Sequence, residues 1–231
     1  MTRGALSTVI GGGSAINAQI YTRGNALDYD EWRQMVCDGW SYEDVLPYFR
    51  RLEGHHRGDC NGLHGTDGPL SVSAGESDNA FYDALIEAGR QAGYPVTDDF
   101  NGVEQEGFGR YDLTINDGKR WSTAMAYLAQ AKGRSNLTIV TGARTTKLVV
   151  ERGRCTAVEY TRGKGVERVE VAGEALLCAG AVQSPHLLQL SGIGAADRLR
   201  GAGVTPVHDL PGVGENMQDH LDIIMNWRDR K

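Results

Sequence analysis

Hydrophobic and polar positions recur with two different periods along the chain, and the difference separates a helix-rich part from a strand-rich part. Between residues 80 and 93, apolar residues recur at the three-to-four-residue spacing of a helix face. The members of this face are Phe81, Leu85, Ile86, Ala88, Gly89 and Ala92. Asp78 is the predicted N-cap of this helix, and Gly93 is its predicted end.

Two further segments carry helix-start signals. Ser41, followed three residues later by Asp44, is close to a capping box, in which the two side chains satisfy backbone N–H groups at the helix start. Pro47 is expected to interrupt or restart this helix, because proline in a helix interior forfeits a hydrogen bond. Ser122 is predicted to cap another helix, which runs through Ala131.

The later part of the chain is rich in β-branched and other strand-forming residues. The β-rich runs are 136–142, 145–150, 155–161 and 166–178. Short segments of glycine and charged residues at 151–154 and 162–165 separate them as hairpin turns. This alternation predicts a β-meander.

A turn and a helix are predicted after the meander. Residues 179–181 form the tight turn, and Ser184 is the expected N-cap, with Pro185 at the first helical position. Gly192 is predicted to end the helix. Helices and a meander in this order indicate an α+β (mixed α/β) fold.

A glycine-rich segment near the beginning carries the strongest chemical signal. The three glycines at 11–13 can adopt positive φ and approach a ligand without steric penalty. If the residues after them are helical, the first-turn N–H groups favour an anion. Ser14, Asn17 and Gln19 add side-chain donors, and this combination suits a nucleotide cofactor with a pyrophosphate. On the glycines alone, a flexible turn without a ligand is an equal alternative.

Composition is typical of a folded globular protein in a reducing compartment. The 231 residues are 40% hydrophobic and 23% charged, and the net charge of −6 argues against a nucleic-acid partner. No apolar run approaches the roughly 20 residues of a membrane span. The four cysteines are scattered singly, which indicates neither a zinc knuckle nor a dithiol motif and fits a cytoplasmic location. Cys178, inside an apolar run, is expected to be a small buried residue.

One loop gathers residues of the kind that bind metals. It contains His55, His56, Asp59, Cys60 and His64. These residues could collect a zinc ion, but their spacing matches no standard structural zinc site, so no metal is predicted.

Two glycine pairs imitate part of a dinucleotide-binding fingerprint. Gly192 and Gly194 follow a predicted helix, so a helix C-cap is the better interpretation, and the pair at 212–214 neither follows a strand nor opens a helix. The sequence contains no G-x-S-x-G elbow and no Walker A motif, which leaves a serine hydrolase or a P-loop enzyme without support.

Several long motifs occur together in the chain. Residues 10–24 read IGGGSAINAQIYTRG, and DYDEW and GWSYEDVLPYFR follow at 28–32 and 39–50. Far downstream are AGAVQSPHLLQLSGIG at 179–194 and DLPGVGENMQDH at 209–220. With these motifs in this order, the chain resembles the glucose–methanol–choline (GMC) family of FAD-dependent alcohol oxidoreductases, and its choline-dehydrogenase-like branch most. Gly13 departs from the family, which usually has serine there.

The resemblance implies the cofactor and its contacts. Its implied FAD-contacting residues are Val9, Gly11, Gly12, Gly13, Ser14, Asn17, Ala18, Gln19, Ile20 and Thr145. Thr145 stands where relatives usually have a valine that contacts adenine through its main chain. Ile16 stands where some relatives carry a histidine bonded covalently to the flavin, which implies noncovalent FAD here. His220 ends the second motif and is implied to be structural rather than catalytic.

The resemblance also implies an organisation into four regions. Residues 1–53 would hold the flavin-contacting segment and helices, 54–135 a partial substrate region, 136–212 a further portion of the FAD-binding domain with the meander, and 213–231 the start of the substrate domain. The family's N-terminal G-x-G-x-x-G unit and its C-terminal segment with the catalytic histidine do not occur here, so the chain is expected to be an internal piece.

Two classes of function follow from this interpretation. The first is an FAD-dependent oxidoreductase acting on CH–OH groups of a small-molecule alcohol, inactive as this piece alone and without an assigned catalytic residue. The second is a non-catalytic remnant or interaction piece without flavin. An incomplete parallel sheet would leave unpaired edges and uncovered apolar side chains, so self-association is expected.

Overall fold

The computed structural model describes residues 9–59, 61–77, 79–219 and 221–225. It divides into two compact units, Met1–Leu137 and Thr138–Lys231. Asp78, Cys60 and His220, to which the sequence analysis gave roles, lie outside the described residues. No helix in the described ranges is both long enough and apolar enough to cross a membrane.

The first unit mixes short strands and helices. Its strands are β1 (Ile20–Tyr21), β2 (Glu53–His55), β3 (Leu70–Ala74), β4 (Asp112–Leu113), β5 (Ile115–Asn116) and β6 (Lys119–Arg120). Its α-helices are α1 (Ala26–Gln34), α2 (Tyr42–Leu52), α3 (Ala80–Gln91) and α4 (Ala129–Ala131), with a 3-10 turn at Gly12–Ala15 and a π-helical turn at Ala124–Leu128.

A four-stranded sheet organises this unit in the order β1-β4-β3-β2. The β1–β4 and β3–β4 pairs are antiparallel, whereas β2 and β3 run parallel with Gly54 opposite Ser71. Val72 on β3 is fully buried. The sheet therefore places the strand that follows the glycine-rich segment and the strand that carries Glu53 and His55 at its two opposite edges.

The predicted start of α2 is confirmed. Ser41 is its N-cap, and Ser41 and Asp44 form the reciprocal capping box. The predicted interruption at Pro47 is wrong, because the helix continues to Leu52. The N–H that Pro47 lacks would have bonded the carbonyl of Glu43, which lies on the exposed first turn where water can satisfy it.

The helix predicted around residues 80–93 is α3. Its N-cap is Asn79, whose side chain accepts from the N–H of Phe81, and Gly93 follows its end with φ +85°. Little of the predicted apolar face is covered: Gly89 is buried against Phe108 and Ile86 is partly buried, whereas Phe81 and Leu85 are 48% and 39% exposed.

The helix predicted from Ser122 differs in form from the expectation. Thr123 precedes the first helical residue, and Ala124–Leu128 form a π-helical turn before α4. The Ser122 carbonyl accepts from the N–H groups of both Met125 and Ala126 at 2.9 Å.

The second unit contains the predicted meander. It comprises β7 (Ala143–Glu151), β8 (Arg154–Arg162), β9 (Gly165–Glu170), α5 (Gly180–Leu190), β10 (Ile193–Gly194), α6 (Ala196–Gly201) and β11 (His208–Asp209). β7, β8 and β9 pair antiparallel in chain order. Arg152 and Gly153 both have positive φ, the signature of a type I′ hairpin turn, as predicted for that connection.

Two of the predicted strands are wrong in extent. Residues 136–142 form no strand, and the run predicted to reach residue 178 ends with β9 at Glu170. No described strand pairs with 136–142, and a β-rich run becomes a strand only where a partner completes its hydrogen bonds. Cys178 lies in the same irregular stretch and is exposed, so its predicted burial is also wrong.

The helix α5 begins earlier than predicted. Its first residue is Gly180, so Ser184 and Pro185 lie inside the helix rather than at its start. Gly192, with φ +85°, follows its C-cap and confirms the predicted end. A Cβ on Gly192 would lie 2.6 Å from the carbonyl oxygen of Thr205, so close packing explains this glycine without a dinucleotide.

Candidate functional site

The glycine-rich segment folds into one tight turn. Gly11 and Gly12 have φ of +97° and +57°, and the Gly12 N–H donates to the carbonyl of Val9 at 3.0 Å. The 3-10 turn Gly12–Ala15 follows, and the Gly13 carbonyl accepts from the N–H groups of Ile16 and Asn17. The residues after the glycines form only this four-residue 3-10 turn, so the first turn of an α-helix, which would favour an anion, is not present at this position.

The two sides of this turn have different surroundings. A Cβ on Gly11 would lie 3.4 Å from the Ala124 side chain, so that glycine faces packed protein. Among the described residues, no atom lies within 4 Å of where a Cβ on Gly12 or Gly13 would be. The apolar side chains nearby are about half exposed: Val9 54%, Ile10 52%, Ile16 51% and Ile20 46%. The turn thus places its glycines between half-exposed apolar side chains.

Polar side chains of the segment are engaged within the first unit. Ser14 Oγ donates to the Gly11 carbonyl at 2.6 Å and accepts from the N–H of Thr123 at 3.0 Å. Asn17 Oδ1 accepts from the N–H of Gln19 and from Arg120 Nη1 at 3.1 and 2.9 Å. Gln19 has φ +67°, a left-handed conformation that reverses the chain before β1.

The structure brings together nine of the ten residues implied as cofactor contacts. Val9 through Ile20 lie within one short stretch of the first unit. Thr145 lies in the second unit on β7, exposed and opposite Tyr160, beside a register shift in the β7–β8 ladder. Its contact with adenine stays a prediction.

A buried ionic cluster in the first unit was not recognised in the sequence. Arg23 Nη2 donates to Glu53 Oε2 at 2.5 Å, and both side chains are almost completely buried. His64 lies between two carboxylates, with Nδ1 3.0 Å from Glu53 Oε1 and Nε2 2.9 Å from Asp99 Oδ2. Hydrogen bonding to Glu53, and next to Asp99, raises the pKa of His64 against the opposing effect of burial. This geometry favours a doubly protonated imidazolium.

A second buried pair adjoins this cluster. His55 Nε2 lies 3.2 Å from Asp112 Oδ2, and Arg57 Nη2 donates to the other oxygen of Asp112 at 2.5 Å. The backbone N–H of Arg57 donates to His55 Nδ1, so Nε2 is the ring nitrogen that donates to Asp112. A cleft of about 360 Å³ opens beside His55, His64 and Asp99.

The metal-binding candidates of the sequence separate in the structure. His56 contacts Ser71 and Asp59 pairs with Arg50, whereas His55 and His64 approach Glu53, with one ligand atom of each within 4.8 Å of the others. Both ring nitrogens of His64 already face carboxylates. A cation there would have to displace those hydrogen bonds.

Comparison with known proteins identifies the family. A profile described as GMC oxidoreductase matches residues 2–222, and the chain therefore belongs to the GMC oxidoreductase family. This confirms the resemblance that the motifs carry.

Curated relatives and solved structures agree with this assignment. The oxygen-dependent choline dehydrogenase of Pectobacterium carotovorum subsp. carotovorum (strain PC1) is 51% identical over 221 residues, covering 94% of this chain and 39% of that protein. The protein of the same name from Brucella ovis is 47% identical over 215 residues, covering 93% and 39%. The chain thus spans about two fifths of the length of these relatives.

The solved structures confirm the mixed helix-and-sheet fold of this family. Pyridoxine 4-oxidase from Mesorbium loti matches with a TM-score of 0.82 and 37% identity over 88% of this chain and 40% of that chain. An FAD-dependent oxidoreductase from Chaetomium thermophilum matches with a TM-score of 0.86 and 29% identity over 93% and 39%.

Proposed function

We propose that this chain supplies the flavin-contacting turn of an FAD-dependent oxidoreductase that acts on the CH–OH group of a small alcohol, choline or a related molecule. The family assignment and the choline dehydrogenases at about half identity support the reaction class. The observation that carries the proposal is the turn itself, in which Gly13 is exposed, with no described atom within 4 Å of where its Cβ would be, and is flanked by exposed apolar side chains.

The residues present fit such a cofactor. A flavin offers an apolar ring system with a polar edge, and its attached phosphates and ribose are polar. Glycines with free space beside them let backbone groups reach the cofactor, while Val9, Ile16 and Ile20 offer apolar surface. Bound FAD would supply the hydride-accepting chemistry, and the chain's part is to bind and orient it.

We assign each part of the segment a role in that binding. The backbone of residues 11–13 would approach the cofactor closely, Asn17 and Gln19 would contact its polar edges, and Thr145 would contact adenine through its main chain. Isoleucine at position 16 cannot form a covalent flavin bond, so the binding would be noncovalent. Residues 1–53 and 136–212 would belong to the FAD-binding part, and 54–135 and 213–231 to the substrate part.

The proposal extends to the behaviour of the chain by itself. None of the described residues is assigned as the proton acceptor for the alcohol hydroxyl, and loss of such a base alone costs roughly 10²- to 10⁴-fold in rate. We expect no dye-linked alcohol oxidation from the purified 231-residue chain with added FAD. We also propose a cytoplasmic location.

Photolabelling tests the proposed cofactor contact even where affinity is weak. The purified chain is irradiated with 8-azido-FAD, with and without excess FAD, and the labelled peptides are mapped by mass spectrometry. Labelling within residues 9–20 that excess FAD suppresses is the expected result. Labelling that FAD does not suppress, or that falls only elsewhere, would overturn the proposal and favour a piece that does not bind flavin.

A further inference from the structure

Arg120, on β6, contacts the glycine-rich turn from a position about a hundred residues away in the chain. Its Nη1 donates to the carbonyl of Asn17 at 2.7 Å, to Asn17 Oδ1 at 2.9 Å and to the carbonyl of Ser14 at 3.4 Å. One guanidinium group therefore serves three acceptors at the end of the turn.

The positive charge of Arg120 lies beside carbonyl groups at the end of the turn. Carbonyl groups in the last turn of a helix lack partners within it and carry partial negative charge. The 3-10 turn has only four residues, and helical segments this short are only marginally stable without contacts to other parts of the chain. A planar guanidinium, always charged and with several donors, supplies these contacts better than a single ammonium group would.

The other end of the turn is held by the same segment. Thr123 donates its N–H to Ser14 Oγ and its Oγ1–H to the Gly11 carbonyl at 3.2 Å. Ala124 packs on the same side, with its Cβ 3.4 Å from where a Cβ on Gly11 would lie. Residues 120–124 thus contact the segment on both sides of the turn, at Gly11 before it and at Asn17 after it.

Arg120 also decides how the Asn17 amide is oriented. Arginine has donors only, so the atom that faces it must be the amide oxygen, and the N–H of Gln19 donates to that same oxygen at 3.1 Å. The Nδ2 donors of Asn17 are consequently turned away from Arg120. Asn17 is exposed, so these donors lie on the accessible side of the turn.

We propose that Arg120 is a positioning residue that holds the glycine-rich turn and presents the donor side of Asn17 to an acceptor edge of the cofactor. The inference rests on the proposed function, because the orientation of the Asn17 amide matters for the cofactor only if this turn binds flavin. Arg120 itself is not assigned a cofactor contact.

The test compares Arg120→Met, Arg120→Lys and Lys119→Met in the whole chain. Arg120→Met removes every donor while keeping much of the side-chain length, and Arg120→Lys restores charge and some donors. Lys119 is the exposed neighbour on the same strand and serves as the matched control. The readouts are hydrogen exchange of peptides within residues 9–20 without FAD, and FAD-suppressed labelling by 8-azido-FAD.

We expect Arg120→Met to accelerate exchange in 9–20 by roughly tenfold or more, as loss of charged hydrogen bonds in a local opening implies. FAD-suppressed labelling should fall in parallel, Arg120→Lys should restore part of both, and Lys119→Met should change neither. Peptides from 143–162 should exchange as in the unaltered chain. Equal acceleration in those peptides would show general destabilisation and overturn the inference, as would unchanged labelling in Arg120→Met.

The two proposals fail in different ways. Absence of FAD-suppressed labelling in the unaltered chain would overturn the proposed function. Hydrogen exchange, which needs no cofactor, would still decide whether Arg120 orders the turn. Unchanged exchange in Arg120→Met would overturn the anchoring role, whatever the flavin result.

Discussion

The imidazole of His64 donates from Nδ1 to Oε1 of Glu53 across 3.0 Å, and both side chains are buried. The other ring nitrogen faces Asp99, and the second oxygen of Glu53 accepts from Arg23. Asp59 holds the backbone that carries His64 in place, because its Oδ1 accepts from the backbone N–H groups of Gly62 and His64. The cluster connects Arg23, two positions after β1, to Glu53 on β2 and to the two loops that carry His64 and Asp99.

The raised pKa of His64 predicts a pH-dependent free energy of unfolding. A folded-state pKa above the ordinary value of 6.5 means that the stabilisation is fully present below that value and is lost as pH rises through the folded-state pKa. We therefore expect the urea midpoint to fall as pH rises above about 6.5. His64→Gln should lower the midpoint at acidic pH and flatten this slope.

The control for this prediction is His186→Gln. His186 is exposed on α5, where its Nδ1 lies 3.3 Å from Oε1 of the exposed Gln183, so the slope should remain. A slope that persists unchanged in His64→Gln would contradict the assignment. On the acid side, Asp99 has a pKa held below its ordinary value by hydrogen bonds to His64 and Asn101 despite burial, so its contribution is lost as pH falls.

Removal of the charge on Glu53 should be strongly destabilising. Glu53→Gln keeps the shape of the side chain but leaves the buried Arg23 guanidinium without its counter-charge. Breaking a buried pair from one side costs about 3–5 kcal/mol in free energy of unfolding. Chemical denaturation measures the loss, with Glu87→Gln as the control because the Glu87–Arg90 pair is exposed and should change stability little. Similar losses in the two variants would contradict this account.

Sequence patterns formed by residues close together in the chain predicted local structure correctly in several places. The capping box of Ser41 and Asp44, the helix-ending Gly192 and the hairpin turn at Arg152 and Gly153 all occur. Each depends on contacts between near neighbours in the chain, which sequence spacing reveals. Ser184 and Pro185 predicted the wrong start for α5, because both residues are also tolerated inside a helix. Tertiary contacts, such as the packing of buried Leu187, stabilise a longer helix than the local signals indicate.

The parts that the sequence did not reveal depend on distant partners. Glu53 and Arg23 are ordinary charged residues in the sequence, and only the pairing of β2 with β3 and the loop that carries His64 makes them a buried cluster. The glycine-rich turn likewise forms hydrogen bonds with Arg120 and Thr123, which no local pattern links to it. The motifs located the candidate site, but not the residues that support it.

The β7–β8 turn offers a stabilising substitution. Arg152 has φ +52°, a left-handed conformation that costs most L-residues roughly 1 kcal/mol and that asparagine adopts more readily. Arg152→Asn should therefore raise the melting temperature modestly. Gly153→Ala, at φ +77°, should lower it. Differential scanning calorimetry distinguishes the two, and a shift of the same sign in both would contradict the type I′ assignment.

Exposed apolar residues of the second unit predict self-association. Val166 and Val169 on β9 are 70% and 50% exposed, and β9 is an edge of its three-stranded sheet. Unpaired strand edges and apolar patches promote association between chains. We expect concentration-dependent oligomers by light scattering and binding of a hydrophobic dye, both reduced by the double change Val166→Lys and Val169→Lys. Val103→Lys, at a comparably exposed site in the first unit, is the control and should reduce neither signal. If the unaltered chain is a monomer that binds no dye, the prediction is wrong.

An added side chain should be strongly destabilising at Gly65 and almost without effect on stability at Gly13. A Cβ on Gly65 would lie 1.7 Å from the carbonyl oxygen of Arg50, while the backbone of Gly65 donates to Glu53 and accepts from the N–H of His55. No side-chain rotation relieves a clash with backbone, so Gly65→Ala should cost about 3 kcal/mol or more in free energy of unfolding.

Gly13 is the matched counterpart. It lacks the positive φ of Gly11 and Gly12, and no atom of the described residues lies within 4 Å of where its Cβ would be. Gly13→Ser, which introduces the residue that the family usually has, should change the free energy of unfolding by no more than about 0.5 kcal/mol. Urea denaturation of both variants provides the measurement. Because Gly13 lies on the open side of the turn, Gly13→Ser can still alter FAD-suppressed photolabelling, and a change there with unchanged stability would indicate that this side faces the cofactor. A large loss of stability in Gly13→Ser would show instead that the turn is packed where the structure leaves it open.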